Sequence, residues 1–334
     1  MNHKSAIRNR VILGISLLVT VFAAMTSMKL GEMKIGYVHI FEFIMGTGDS
    51  QMADIIFSYR LPRVAVALAA GACLSVAGVI AQSIMRNPLA APDTLGLTGG
   101  AGLAAVIVTL LFPGHFPILL TTAAFGGGIV AAVAVYLLAY RKGIAPVRLA
   151  LVGIAVSAFC SSGIQLLISR SASNVSSALI WLGGSLWGRS WSQFIQMLPG
   201  LLILIPLVWI LGLRLDVMRL GDSSAKNLGV GIERSRMLFL AIAVMLTGMA
   251  VAAVGTIGFV GLITPHIARR LVGPRHRILI PVAAVLGGLF ILIADALGRG
   301  LLPPLEIPAG LIVSAIGGPY FLFLLWINAK RKSR

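Results

Sequence analysis

Acidic residues are scarce in this chain: Asp and Glu together number 10 in 334 residues, against 27 Lys and Arg. Charged residues of both signs make up only 11% of the sequence, while 58% is hydrophobic. Soluble domains carry about 25% charged residues. Charge this sparse cannot cover a water-exposed surface of that size, so lipid is the solvent for most of the chain. The shortage of acids also bears on energetics. A proton- or sodium-coupled carrier keeps a carboxylate at mid-membrane, whereas Asp93, Asp295 and Glu306 all fall at or near the edges of apolar runs. Asp295 and Arg299, four apart, can pair on one helix face. A secondary carrier is therefore disfavoured.

Cysteine is limited to Cys73 and Cys160, both inside apolar runs. They form neither a metal-ligand spacing nor a disulfide framework and read as buried small hydrophobes. His266 and His276 have no carboxylate, cysteine or third histidine at ligand spacing. An intramembrane enzyme thus lacks a visible reactive cluster. No Gly-x-x-x-x-Gly-Lys-Ser/Thr loop is written in the chain, so it does not cradle ATP by the P-loop route. Uphill transport would draw its energy from a partner.

What is present is positive charge, net +17, placed in short clusters between apolar runs. No basic stripe or aromatic-interleaved sheet accompanies it, which argues against nucleic acid. Clusters that flank apolar runs orient a chain in a membrane. Each span needs roughly 20 apolar residues. Ten fit, at 11–29, 63–83, 95–112, 117–140, 147–168, 193–213, 236–255, 257–271, 278–298 and 308–328. The first follows Lys4, Arg8 and Arg10 and reads as an uncleaved helix that starts in the cytoplasm. With that orientation 20 of the 27 basic residues lie inside, including the Lys330–Arg334 cluster. An even span count with both termini cytoplasmic satisfies the positive-inside rule. The fold class is therefore an all-α polytopic membrane protein of about ten transmembrane helices, a single domain over 1–334 with a C-terminal tail at 329–334. The run of spans two to five begins outside and the run seven to ten begins inside, a layout that suits an inverted repeat.

The eighth span, 257–271, is short. In Gly261-Leu262-Ile263-Thr264-Pro265-His266 the proline is expected to mark a backbone break. Gly71, Ser75, Gly78 and Gln82 share one face of the second span, and Ser157, Ser161 and Gln165 share one face of the fifth. Such faces turn inward in lipid, either for packing or to line a path. Residues 214–235 form the longest internal polar stretch, on the cytoplasmic side. Asp222 can cap a short amphipathic helix there that ends near Gly229.

Several segments resemble a known family in order: Arg60-Leu61-Pro62-Arg63; Gly71 through Gln82 followed by Arg86-Asn87-Pro88-Leu89-Ala90; Leu95-Gly96; Trp181-Leu182-Gly183-Gly184; Leu228-Gly229-Val230; Gly255 through Arg270; Asp295 with Arg299; and Glu306-Ile307-Pro308-Ala309-Gly310. The chain is similar to the FecCD-type permease subunits of iron-siderophore and vitamin B12 ATP-binding-cassette importers, over about 58–328. The resemblance implies the type II importer permease fold in the bacterial plasma membrane. It implies a second permease subunit (identical or a paralogue), two cytoplasmic ATP-binding subunits that use ATP and Mg, and an extracytoplasmic binding protein. This chain itself would bind no cofactor or metal. The cargo implied is a ferric siderophore most often, and cobalamin or haem less often.

Residue by residue, Asp222, Ala225, Leu228, Gly229 and Val230 fall on the family's ATPase-coupling segment. Arg60, Arg63 and Arg299 fall on its outward arginines, which pair with glutamates of the binding protein. Pro146 and Val147 fall at its inner gate, with Ser157, Ser161 and Gln165 along the path. A proline at the gate departs from the hydroxyl-bearing pattern of the B12 importer and favours a siderophore.

Overall fold

The computed structural model describes residues 3–31, 35–47, 49–112, 117–141, 145–171, 174–302 and 305–332. Lys34, Lys142 and Arg334, which entered the charge layout, lie outside the described residues. Apolar runs become helices because lipid offers the backbone no partner of its own. The first is α1 (His3–Lys29), followed by the short α2 (Tyr37–Met45) and α3 (Ser50–Ile55). A π-helical turn, Ile56–Arg60, joins α3 to α4 (Leu61–Ile84). Next come α5 (Leu97–Leu111), α6 (Pro117–Ala139), α7 (Pro146–Arg170) and the short α8 (Val175–Leu182). The sixth span is built from α9 (Trp191–Pro199) and α10 (Ile205–Ile210) around a π turn. Two short helices follow, α11 (Gly212–Met218) and α12 (Asp222–Asn227). The chain closes with α13 (Ile232–Val254), α14 (Val260–Val272), α15 (His276–Gly300) and α16 (Ala309–Lys332).

Among the described residues eight helices are long and apolar enough to cross a membrane. Helices α5 and α14 are shorter and stand where the third and eighth spans were expected. Large apolar side chains such as Leu18, Val130, Leu137, Leu202 and Leu322 are exposed over the bundle's flanks. In water these would form a sticky surface; in lipid they are the solvated face.

The most buried long helix is α4, packed on α13, α14 and α15. Its small residues permit this. A Cβ on Gly71 would lie 2.1 Å from the Gly287 carbonyl oxygen, and one on Gly78 would lie 1.9 Å from that of Gly261. Ser75 Oγ donates to the Ala283 carbonyl at 2.6 Å, Thr264 Oγ1 donates to Ser75 Oγ at 2.7 Å, and Gln82 Nε2 donates to the Leu262 carbonyl at 3.2 Å. The face seen in the sequence is thus a packing face. Interhelical hydrogen bonds in membranes average about 0.6 kcal/mol, so close backbone approach supplies most of the fit.

One expectation is corrected. Pro265 lies inside α14, and the chain breaks upstream, at residues 255–259. There Gly255 has φ +80° and Phe259 φ +61°. Glycine reaches that region freely. Pro265 has no N–H to offer the Gly261 carbonyl, and that carbonyl packs against Gly78.

Candidate functional site

At one end of α4 the chain forms an elbow. Gly221, at φ +112°, turns the backbone out of α11, and α12 begins at Asp222. The helix ends where Gly229 enters the left-handed region at φ +77°. Its amide donates to the Lys226 carbonyl at 2.9 Å, and the Val230 amide donates to that of Ala225 at 3.0 Å, a closing motif that suits glycine. Ala225 is the buried anchor, whereas Leu228 is 62% exposed. Asp222 does not cap the helix as expected: Gly221 holds the cap position. The Asp222 carboxylate instead accepts from Arg86, just beyond α4, and from Arg236 Nη2 of α13 at 2.9 Å. Standing one residue inside the helix, Asp222 pairs with two guanidinium groups in bonds that are charged on both sides.

The start of α7, at Pro146, reaches the same place. A cavity of about 810 Å³ is lined by Pro146 and Arg148 at the start of α7 and by Asp222, Lys226 and Val230 of the elbow. Val147 next to it is 72% exposed. Further along α7, Ser157 Oγ donates to the Asp93 carbonyl at 3.5 Å, while Ser161 and Gln165 are exposed. This helix is the least buried of the long ones, so its polar face is not covered by the rest of the chain.

The opposite end of α4, about 36 Å away for 24 residues, carries the arginines. Arg63 grips Asp295 through Nε at 3.0 Å and Nη2 at 2.8 Å, and reaches Glu306 through Nη2 at 2.8 Å. Arg299 Nη2 lies 3.1 Å from Asp295 Oδ2 and donates to Ser27 Oγ at 2.6 Å, while Nη1 donates to the Leu30 carbonyl at 2.7 Å. Arg60 donates to the same carbonyl. Arg63 and Arg299 turn inward because Asp295, 3% exposed, needs counter-charge when it is withdrawn from water. The Asp295–Arg299 pair was legible from its i,i+4 spacing. Arg86, Arg236 and Glu306 were not, because their partners are remote in sequence.

An all-helical bundle with a buried spine, an exposed elbow at one end and a charged cluster at the other is the architecture of a multi-pass membrane protein. The chain belongs to the FecCD transport family, whose profile matches residues 17–327. It is 44% identical over 329 residues to the Fe(3+)-citrate import system permease protein YfmE of Bacillus subtilis, covering 97% of this chain and 98% of that protein. Over 323 residues it is 39% identical to the Iron(3+)-hydroxamate import system permease protein FhuG of the same organism, covering 94% and 96%. A solved chain described as an inward-facing conformation of a metal-chelate type ABC transporter matches with a TM-score of 0.86 at 30% identity, covering 95% of this chain and 99% of that one. The protein is a permease of the bacterial inner membrane.

Proposed function

We propose that this permease imports an iron chelate, a ferric siderophore or ferric citrate, by alternating access driven by separate ATPases. The relatives named for Fe(3+)-citrate and iron(3+)-hydroxamate import support the cargo class. The observation that carries the mechanism is the elbow: α12 stands exposed at the cytoplasmic face, yet Asp222 ties it to residues flanking α4 and within α13. A cleft in an ATPase that seats α12 would move the spine of the bundle as it closes.

In this reading Asp222, Ala225, Leu228, Gly229 and Val230 couple to the ATPase. Pro146 and Val147 form the inner gate, and Ser157, Ser161 and Gln165 line the path against a second permease subunit. Two ATP-binding subunits hold ATP and Mg, this chain binds neither, and an external binding protein docks at the end that carries Arg60, Arg63 and Arg299. The test is uptake of radiolabelled ferric chelate into proteoliposomes holding the assembled transporter. Uptake is expected to require both ATP and the binding protein. Uptake driven by a proton gradient without ATP would overturn the reading.

A further inference from the structure

The elbow has a second attachment to the bundle, made of hydrogen bonds at His276. Its Nδ1 lies 2.6 Å from Asp216 Oδ1 in α11, and its backbone amide donates to the same oxygen at 3.2 Å. On the other side of the ring, Nε2 lies 2.6 Å from Ser83 Oγ in α4. Ser83 Oγ also lies 2.7 Å from the Val79 carbonyl. The chain Asp216–His276–Ser83 therefore runs from α11, through the first residue of α15, into the last turn of α4.

Proton placement follows from the partners. A carboxylate only accepts, so Nδ1 carries a proton. The Ser83 hydroxyl has one proton to give. If it goes to Val79, Nε2–H donates into Ser83 Oγ and the ring is an imidazolium. If it goes to Nε2, the ring is neutral. Both arrangements satisfy the ring nitrogens and the hydroxyl, so the linkage persists in either protonation state. Its composition is that of a hydrolytic triad, but its placement forbids that role: Ser83 is 1% exposed and His276 is fully buried, so no substrate reaches the hydroxyl.

We infer that His276 is a positioning residue for transport: it locks α11, α15 and α4 into one body, so that displacement of the elbow is delivered to the buried spine. This rests on the coupling role proposed for α12. Gly212 of α11 supports it by close packing, since a Cβ there would lie 3.3 Å from His276 Cβ. Further along, α4 passes motion on through its backbone contacts with Gly287 and Gly261.

The test uses the complete transporter, with ATPases and binding protein, in proteoliposomes. Ser83→Ala, the smallest change, and His276→Gln are each compared with the parent for cargo imported per ATP hydrolysed, counted per assembled complex. A purely structural role lowers the amount assembled but leaves that ratio alone. The ratio is expected to fall about tenfold in each, within the usual range of coupling between sites, and the double variant is expected to fall no further than the worse single one. An unchanged ratio in both single variants overturns the inference. Asp222→Ala and Gly229→Val are run beside them. If these uncouple transport while Ser83→Ala and His276→Gln do not, the linkage alone fails. If none of the four uncouples it, the coupling role of the elbow fails as well.

Discussion

Arg236 and Asp222 meet across the turn between α12 and α13, with Nη2 and Oδ1 at 2.9 Å. The arginine is 4% exposed and the carboxylate 48%, so a buried cation is held by an anion at the surface. Replacing Asp222 by Ala takes this carboxylate from Arg236 and Arg86 together. Cargo imported per ATP is expected to fall about tenfold, with affinity for the binding protein unaltered in a surface-plasmon titration. Normal uptake per ATP in that variant would remove the assignment of the elbow.

Gly229 offers a test of backbone rather than charge. A Cβ there meets nothing within 4 Å, but φ is +77°. The left-handed conformation costs a non-glycine residue about 1–2 kcal/mol, and Asn tolerates it best. Gly229→Asn is expected to keep coupled uptake, whereas Gly229→Val loses it. Equal activity in the two variants would show that the turn carries no load.

The glycine contacts of α4 predict stability. Gly78→Ala forces a methyl group against the Gly261 carbonyl, and overpacking of this kind costs about 1–3 kcal/mol. Gly126 of α6 has nothing within 4 Å of an added Cβ, so Gly126→Ala is expected to be neutral or slightly stabilising. Thermal unfolding of the detergent-solubilised permease separates them. Equal midpoints would contradict the packing described for α4.

At the outer end stability and docking should come apart. Asp295→Ala leaves Arg63 and Arg299 without their shared carboxylate, and breaking such a pair costs about 3–5 kcal/mol. A lower unfolding midpoint is expected. Arg60 donates to the Leu30 backbone carbonyl that Arg299 also uses. Arg60→Glu is expected to lower the midpoint less than Asp295→Ala, since a neutral carbonyl is a weaker partner than a carboxylate, while weakening binding-protein affinity about tenfold, as reversal of an interfacial charge does. An unchanged affinity would leave Arg60 as a surface anchor only.

Much of this molecule was legible along the chain. Apolar runs placed the long helices, and the places expected for spans at 95–112 and 257–271 hold the shorter α5 and α14. The small-residue face of α4 was visible from spacing, because helical periodicity is a local property. The i,i+4 pair Asp295–Arg299 was visible for the same reason. Pro265 misled, since a proline is read locally as a breaker, whereas the helix runs through it from Val260 to Val272.

By itself, then, the sequence determined the solvent, the class of fold and which residues sit at which end of the bundle, because hydropathy and charge act residue by residue against a layered medium. The tertiary structure alone decided which polar groups remote in sequence meet. Arg63 finds Asp295 across 232 positions, Ser83 finds His276 across 193, and Arg86 finds Asp222 across 136. Pairing over such separations is set by which helices lie side by side, and packing geometry, not local pattern, fixes that.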